Sequence, residues 1–430
     1  MRTRPILFVL VLTACGSDSG AGGPGGEICG NGVDDDGDGF FDCADQDCWS
    51  DAACADITSD ATTSDATADT SDDTSGGPST SFPDTTGADT TGLPDVSGTC
   101  DPCSDLGQIK GRVCAPSAQV FVNDADVVVS GTGCDGEPFA ISTTSGHDGS
   151  YWLLDVPCGT HELSITKGSF SAYYSIPVGG GEITDVTGAA NKLCLQASRT
   201  RIASLQGTWD DLAGLMRQLG FEVDVYIEES HVDPHAAGTI VELLSDQALL
   251  DSYDILLANC GAENGWMPQD HPELMAAVKE FVLRGGSLYM SDYAWVYGEW
   301  AFPTAVEWAN DDDPAGMGHT DTSPQLIDSG THSRATIADG TLAQLLGKTT
   351  MDIVFDQGPQ IAPESVGPGT FAHIVGDISV PFKVDVKDAP LALSYRPAAT
   401  AGRVIYTNFH NDAQATSDIL TILNYLVFTL

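Results

Sequence analysis

YDILLANCGAENGWMPQDHPELMAAVKEFVLRGGSLYMSDY, residues 253–293, is the stretch whose reading decides the fold. A first apolar run, Ile255 to Ala258, ends at Asn259-Cys260-Gly261. Leu274, Ala277, Val278, Phe281 and Val282 then recur at three- and four-residue spacing, which predicts a helix. Gly285-Gly286 stops it, and a second apolar run, Ser287 to Met290, ends at Ser291-Asp292-Tyr293. This is a β-α-β unit whose strands are too apolar to keep a solvated face. Ligands of such sheets sit at the carboxyl ends of the strands. Those ends carry Cys260 and Asp292, with Trp266, Trp295 and Trp300 nearby.

The pattern extends on both sides. Upstream, Ile202 to Leu205 reads as a strand, Trp209 to Leu219 as a helix stopped by Gly220, and Phe221 to Ile227 as a second strand. Ile240 to Leu250 reads as a helical or loop element. Downstream, GRVIYTNFH (402–410) is a strand ending in His410, and Ser417 to Phe428 is a helix. Alternating strands and helices predict a doubly wound α/β domain over residues 200–430. Residues 304–398 weaken the pattern and read as an insertion with a β-hairpin or small sheet.

Residues 99–196 differ in kind. Short alternating runs recur from Gln108 to Cys114, Gln119 to Val122, Asp126 to Ser130, Phe139 to Thr143, Gly149 to Val156, Gly159 to Lys167 and Ser171 to Val178. No helical period is present, so a small antiparallel β-sandwich is expected. Tyr151, Trp152, Tyr173 and Tyr174 suit stacking on a sugar, and equally suit a core or an ordinary surface.

Net charge is -45 over 430 residues, from 62 acidic and 17 basic side chains, which argues against nucleic-acid partners. Residues 55–98 hold nine aspartates and no Lys or Arg, and read as a disordered Thr/Ser/Asp linker. At the start, Arg2 and Arg4 precede the apolar run Ile6 to Leu12, too short for a permanent span. Residues 16–26 form a Gly-rich tether.

Export implies an oxidising compartment, where the twelve cysteines can be counted as disulfides. Cys29, Cys43, Cys48 and Cys54 form one even group; Cys100, Cys103, Cys114, Cys134, Cys158 and Cys194 form another. Connectivity within each group stays open, and Cys260 falls outside both. In the module 27–54, Asp34, Asp36 and Asp38 alternate before Gly39, with the Phe40 carbonyl, Asp42 and Asp45 following. That spacing suits Ca²⁺, a hard cation that takes oxygen ligands. No organic cofactor is expected. Glu229, His231, Asp233 and His235 alternate as a weaker Zn²⁺ pattern.

Four resemblances follow from these residues. Leu12-Thr13-Ala14-Cys15 resembles a bacterial lipobox. It implies that 1–15 ends in a lipidated Cys15, with contact to the cell envelope through that anchor alone. Gly16 favours the outer membrane. The Cys/Asp-rich module resembles the MopE-type metal-binding motif of myxobacterial exported proteins. Gly111-Arg112-Val113, Thr144 to Leu153 and the turn at Pro157-Gly159 resemble the carboxypeptidase regulatory-like, transthyretin-like sandwich. The last domain resembles the class I glutamine amidotransferase superfamily, a flavodoxin-like fold, in its ThuA-like branch.

That last resemblance implies a cysteine nucleophile on the elbow at Ser291-Asp292-Tyr293 and a histidine at His410. The elbow cysteine is missing. Two readings follow. One is a surface-tethered, non-catalytic binding protein on a calcium-rigidified stalk, with a carbohydrate or envelope-protein partner. The other is a hydrolase of carbohydrate or amide substrates using Asp292 and His410 in a remodelled pocket, with Cys260 as a further candidate. A carbohydrate-binding role for the sandwich is a further alternative.

Overall fold

The computed structural model describes residues 100–101, 104–133, 136–187, 193–229, 231–262, 271–309, 326–327, 330–355, 360–380, 385–410 and 416–430. Cys15, the tether, the Asp-rich module with its four cysteines, the linker, and Cys103, Cys134 and Trp266 lie outside these residues. The described chain is rich in β-sheet, with several sheets and few, short helices.

Seven strands build the first half: β1 (Leu106–Arg112), β2 (Asp126–Thr132), β3 (Pro138–Thr144), β4 (Ser150–Pro157), β5 (Gly159–Lys167), β6 (Phe170–Val178) and β7 (Ile183–Val186). They form a three-stranded sheet, β4-β1-β7, and a four-stranded sheet, β3-β2-β5-β6. Alternation explains the packing: Val127, Val129, Leu163, Ile165, Tyr151 and Leu153 point inward at every second position. Two expectations are corrected. Gln119 to Val122 is no strand, because Phe121 makes only an isolated bridge to Cys114. β7 was hidden by its brevity, and it pairs parallel with β1, so the sandwich is not wholly antiparallel. Disulfides join Cys100 to Cys158 and Cys114 to Cys194.

The second half is centred on one ten-stranded sheet. In chain order its elements are β8 (Ile202–Leu205), α1 (Leu212–Gln218), β9 (Asp224–Ile227), β10 (Gly238–Thr239), α2 (Ile240–Ser245), α3 (Gln247–Leu250), β11 (Ile255–Ala258), α4 (Pro272–Leu283), β12 (Ser287–Ser291) and α5 (Trp295–Ala301). The insertion supplies β13 (Val306–Trp308), β14 (Leu326–Ile327), β15 (Thr331–Ile337), α6 (Gly340–Leu346), β16 (Thr350–Phe355), β17 (Gln360–Ile361), β18 (Pro363–Val366), β19 (Thr370–Ile378) and β20 (Val386–Tyr395). β21 (Val404–Thr407) and α7 (Ser417–Val427) close the chain.

The sheet order is β10-β9-β8-β11-β12-β21-β20-β19-β15-β16. Pairing is parallel from β10 to β21 and antiparallel from β21 to β16. The insertion is therefore not a separate small sheet. Its strands β15, β16, β19 and β20 extend the main sheet, because β20 is buried from Ala389 to Tyr395 and pairs directly with β21. Among the described residues of the insertion, β13 with β18 and β14 with β17 form small sheets apart.

Both faces of the parallel region are covered. Ile255, Leu257, Tyr289 and Ile405 join the cluster that includes Leu212 and Met216 of α1 and Ile422 and Leu426 of α7. Leu256, Ala258, Leu288, Met290, Val404 and Tyr406 join the cluster with Leu243 of α2 and Val278 and Phe281 of α4. Adjacent residues on each strand face opposite cores, as continuous apolar runs require.

Helix starts follow their caps. The helix expected from Trp209 begins at Leu212, because the Asp211 side chain accepts the Gly214 N–H. α2 carries a capping box between Thr239 and Glu242. The two halves share one core: Phe170 of β6 meets Phe221 at 4.8 Å and Phe428 at 5.2 Å between ring centres. Phe221 turning into that junction is why β9 starts at Asp224 and not at Phe221.

Candidate functional site

Three parallel strands end side by side, and the site is what their ends carry. β11 is followed by Asn259 and Cys260, β12 by Asp292, and β21 by Asn408, Phe409 and His410. The His410 Nε2 lies 2.9 Å from Asp292 Oδ2, and Cys260 Sγ lies 3.5 Å from the same oxygen. Cys260 and Asp292 are fully buried, and His410 is 3% exposed. Cys260 and His410 therefore share one partner oxygen, although a whole strand, β12, separates theirs. Neighbouring strand ends in a twisted sheet bring the three ligand-type atoms within 4.8 Å of one another.

Asp292 occupies the elbow, and its backbone φ is 42°. Few side chains adopt that left-handed region; Asp and Asn do so at the smallest cost. Its Oδ1 accepts the backbone N–H of Ile361 at 2.8 Å. The carboxylate thus holds a strand of the insertion, β17, rather than capping a helix start. Burial pushes the Asp292 carboxyl up from its ordinary value; the hydrogen bonds from His410, the Ile361 N–H and the Cys260 thiol pull it down without cancelling that rise. Next to it, Ser291 Oγ accepts the Cys260 N–H at 2.9 Å, which fixes the turn after β11. Asn259 ties that turn to α1 and β8, accepting the Leu212 N–H at 2.7 Å and donating to Ser204 Oγ at 2.9 Å.

The other expected residues do not gather here. Trp295 is buried and packs edge-on against Trp308 at 5.2 Å, while Trp209 is 51% exposed. Trp308 donates to Glu299 Oε2 at 3.1 Å, so this aromatic pair belongs to the core. The HVDPH loop is exposed: His231 faces Glu228, and Asp233 accepts the His235 N–H at 2.9 Å. In the sandwich, Tyr151 is buried, while Trp152 is 44% exposed with the Lys110 ammonium 5.7 Å from its ring centre.

A second constellation was not legible beforehand. His373 Nδ1 lies 2.7 Å from Asp339 Oδ2, and its Nε2 lies 2.9 Å from Ser394 Oγ. This is the connectivity of a Ser-His-Asp triad. Yet Ser394 is 1% exposed, within the buried strand β20, and its Oγ also accepts from Arg403 at 3.1 Å. A nucleophile must face its substrate. The network instead ties β19 and β20 to α6 and α7, through the Asp339 cap of α6 and a Tyr425 hydroxyl 2.8 Å from Asp339 Oδ2.

That network has a pH signature. Burial raises the Asp339 carboxyl, but hydrogen bonds from His373, Tyr425 and the Leu342 N–H outweigh it and bring it to about 2. An unfolded aspartate titrates near ~3.9. A depressed folded value adds stability that is present above the unfolded value and lost as pH falls toward 2. Wild type should therefore exceed Asp339→Asn by about 1–2 kcal/mol at pH 6 in urea unfolding, after allowance for partial solvent screening. The gap should narrow between pH 4 and 2. A gap that stays constant over that window contradicts the assignment.

No protein-family model matches the chain, and no curated protein matches it. Among solved structures, Gan42B, a GH42 β-galactosidase from G. stearothermophilus, aligns at 13% identity. That alignment covers 49% of this chain and 27% of that one, with a TM-score of 0.25. The Bacillus anthracis TIE protein aligns at 17% identity over 21% of this chain and 16% of that one, with a TM-score of 0.17. A 9R-lipoxygenase from Cyanothece aligns at 10% identity over 74% and 44%, with a TM-score of 0.17. The chain spans less than half the length of each of these proteins, and likenesses this low carry no argument about activity. Among the described residues no helix is long and apolar enough to cross a membrane.

Proposed function

We propose that the chain is an exported, lipid-anchored envelope protein whose C-terminal half is an amidotransferase-like, ThuA-like domain used for binding rather than catalysis. The flavodoxin-like reading of that half rests on its parallel strands with helices between them and on the elbow after β12. One observation carries the non-catalytic reading: the elbow carboxylate is fully buried and committed to the Ile361 N–H of the insertion. An elbow group held in this way presents no atom to a substrate. In this reading Cys15 anchors the chain at the outer membrane, the Asp34–Asp45 loop takes Ca²⁺, and the partner is an envelope protein or carbohydrate. Trp152 on β4 and Tyr173 on β6 are exposed, and in this reading they are the sandwich aromatics open to a sugar.

A hydrolase using Asp292 and His410 is the second reading, favoured by their 2.9 Å contact. Glutamine, simple amides and aryl glycosides separate the two. The purified chain should turn over none of them above background. Turnover that disappears in Cys260→Ala or His410→Ala overturns the binding reading.

A further inference from the structure

We infer that Cys260, Asp292 and His410 form a buried site for a divalent transition metal of the zinc class, clamping the ends of β11, β12 and β21 under the insertion. It uses none of the residues of the Asp-rich loop and does not depend on whether the domain is catalytic.

The donor set is one thiol, one imidazole and one carboxylate, all buried and all within 4.8 Å. Ca²⁺ and Mg²⁺ take oxygen ligands, whereas thiolate with imidazole suits Zn²⁺ and its neighbours. The supporting bonds fix the donors. Asp292 Oδ1 is held by the Ile361 N–H, which turns Oδ2 alone toward both His410 Nε2 and Cys260 Sγ. The Cys260 main chain is pinned by Ser291 Oγ. Such outer bonds are what orient metal ligands.

Charge points the same way. A thiolate, a carboxylate and a neutral imidazole sum to two negative charges, which a divalent cation cancels in a site closed to water. Binding requires the Cys260 thiol to lose its proton to solvent, and any proton shared by Asp292 and His410 leaves with it. The metal takes the place of that hydrogen. Ligand atoms around tetrahedral zinc stand roughly 3.4 Å apart, so His410 and Asp292 need to separate by about half an ångström.

An independent observation marks the same place. The Tyr406 hydroxyl is fully buried and has no hydrogen-bond partner. Tyr406, four residues before His410 at the end of β21, pairs with Met290 on β12, two residues before Asp292. An unpartnered buried hydroxyl is costly. As a fourth ligand, or as the partner of a metal-bound water, Tyr406 would be satisfied.

The test uses the full chain, stripped with chelator and titrated with Co²⁺ and Zn²⁺ under excess Ca²⁺, which fills the oxygen-ligand sites. The expected result is one equivalent of Co²⁺ with a thiolate-to-cobalt charge-transfer band and tetrahedral visible bands. Cys260→Ser and His410→Gln should remove those bands and weaken Zn²⁺ binding by about a hundredfold or more. The double variant His231→Ala with His235→Ala should leave them unchanged. Absence of the charge-transfer band in the wild-type chain overturns the site, and that spectrum decides even if a variant fails to fold. Equal Zn²⁺ affinity in wild type and Cys260→Ser also overturns it.

Discussion

Phe170→Ala should destabilise the whole of residues 100–430, and not the sandwich alone, by about 3–5 kcal/mol. Phe170 is 1% exposed at the start of β6. Its ring packs on Phe221, which follows α1, and on Phe428, which follows α7. Truncation therefore opens a cavity walled by both halves. Backbone contacts reinforce the joint: the Ser117 N–H donates to the Leu219 carbonyl at 3.0 Å, and Thr200 Oγ1 donates to the Ser169 carbonyl at 3.1 Å. Gly168 has φ 56°, and a Cβ there would run into the Leu430 carbonyl. A loss of this size is a large fraction of the ~5–15 kcal/mol that holds a domain folded. Urea unfolding followed by tryptophan emission and by far-UV dichroism should give one coincident transition, shifted down in Phe170→Ala. Two separated transitions, with the second unmoved by the substitution, would show that the halves fold independently.

That joint illustrates what a sequence discloses. Apolar runs and helical spacing locate β11, α4 and β12, because continuous burial on two faces leaves an unmistakable pattern. The ends of such runs also locate Cys260, Asp292 and His410. What the pattern omits is distance across the sheet. Strand order is not written in chain order: β12 lies between β11 and β21, and this is what sets Asp292 between Cys260 and His410. Ile361 could not be foreseen as the partner of Asp292, since β17 is two residues long and has no period. The Asp339–His373–Ser394 network was equally hidden. Its contacts join residues 34 and 21 positions apart, on an α-helical cap and two antiparallel strands. The insertion misled for a related reason. β20 is buried from Ala389 to Tyr395, so it lacks the alternation that marks a half-exposed strand.

Asp292→Asn and Asp292→Leu should differ more than any other pair of substitutions at the strand ends. Leucine removes the acceptor of the Ile361 N–H and the partner of His410 Nε2 and Cys260 Sγ, all buried. The Ile361 N–H left without its acceptor costs about 1–3 kcal/mol. Leucine also tolerates φ 42° poorly, at about 1–2 kcal/mol. The expected loss is about 3–5 kcal/mol, enough to threaten folding. Asparagine keeps the conformation, keeps an oxygen for Ile361 and offers an N–H to His410. It also removes a carboxyl whose ionisation burial opposes. The direction of that shift sets the pH dependence. A raised folded value means that wild type loses stability as pH rises above the unfolded value near ~3.9, through the folded value. Asp292→Asn has no such loss, so its standing relative to wild type should improve from pH 4 to pH 7. At pH 7 it should match or exceed wild type, measured as the difference in urea midpoint. An asparagine variant as damaged as the leucine one at pH 7 would mean that the carboxylate is ionised and firmly paired in the folded chain.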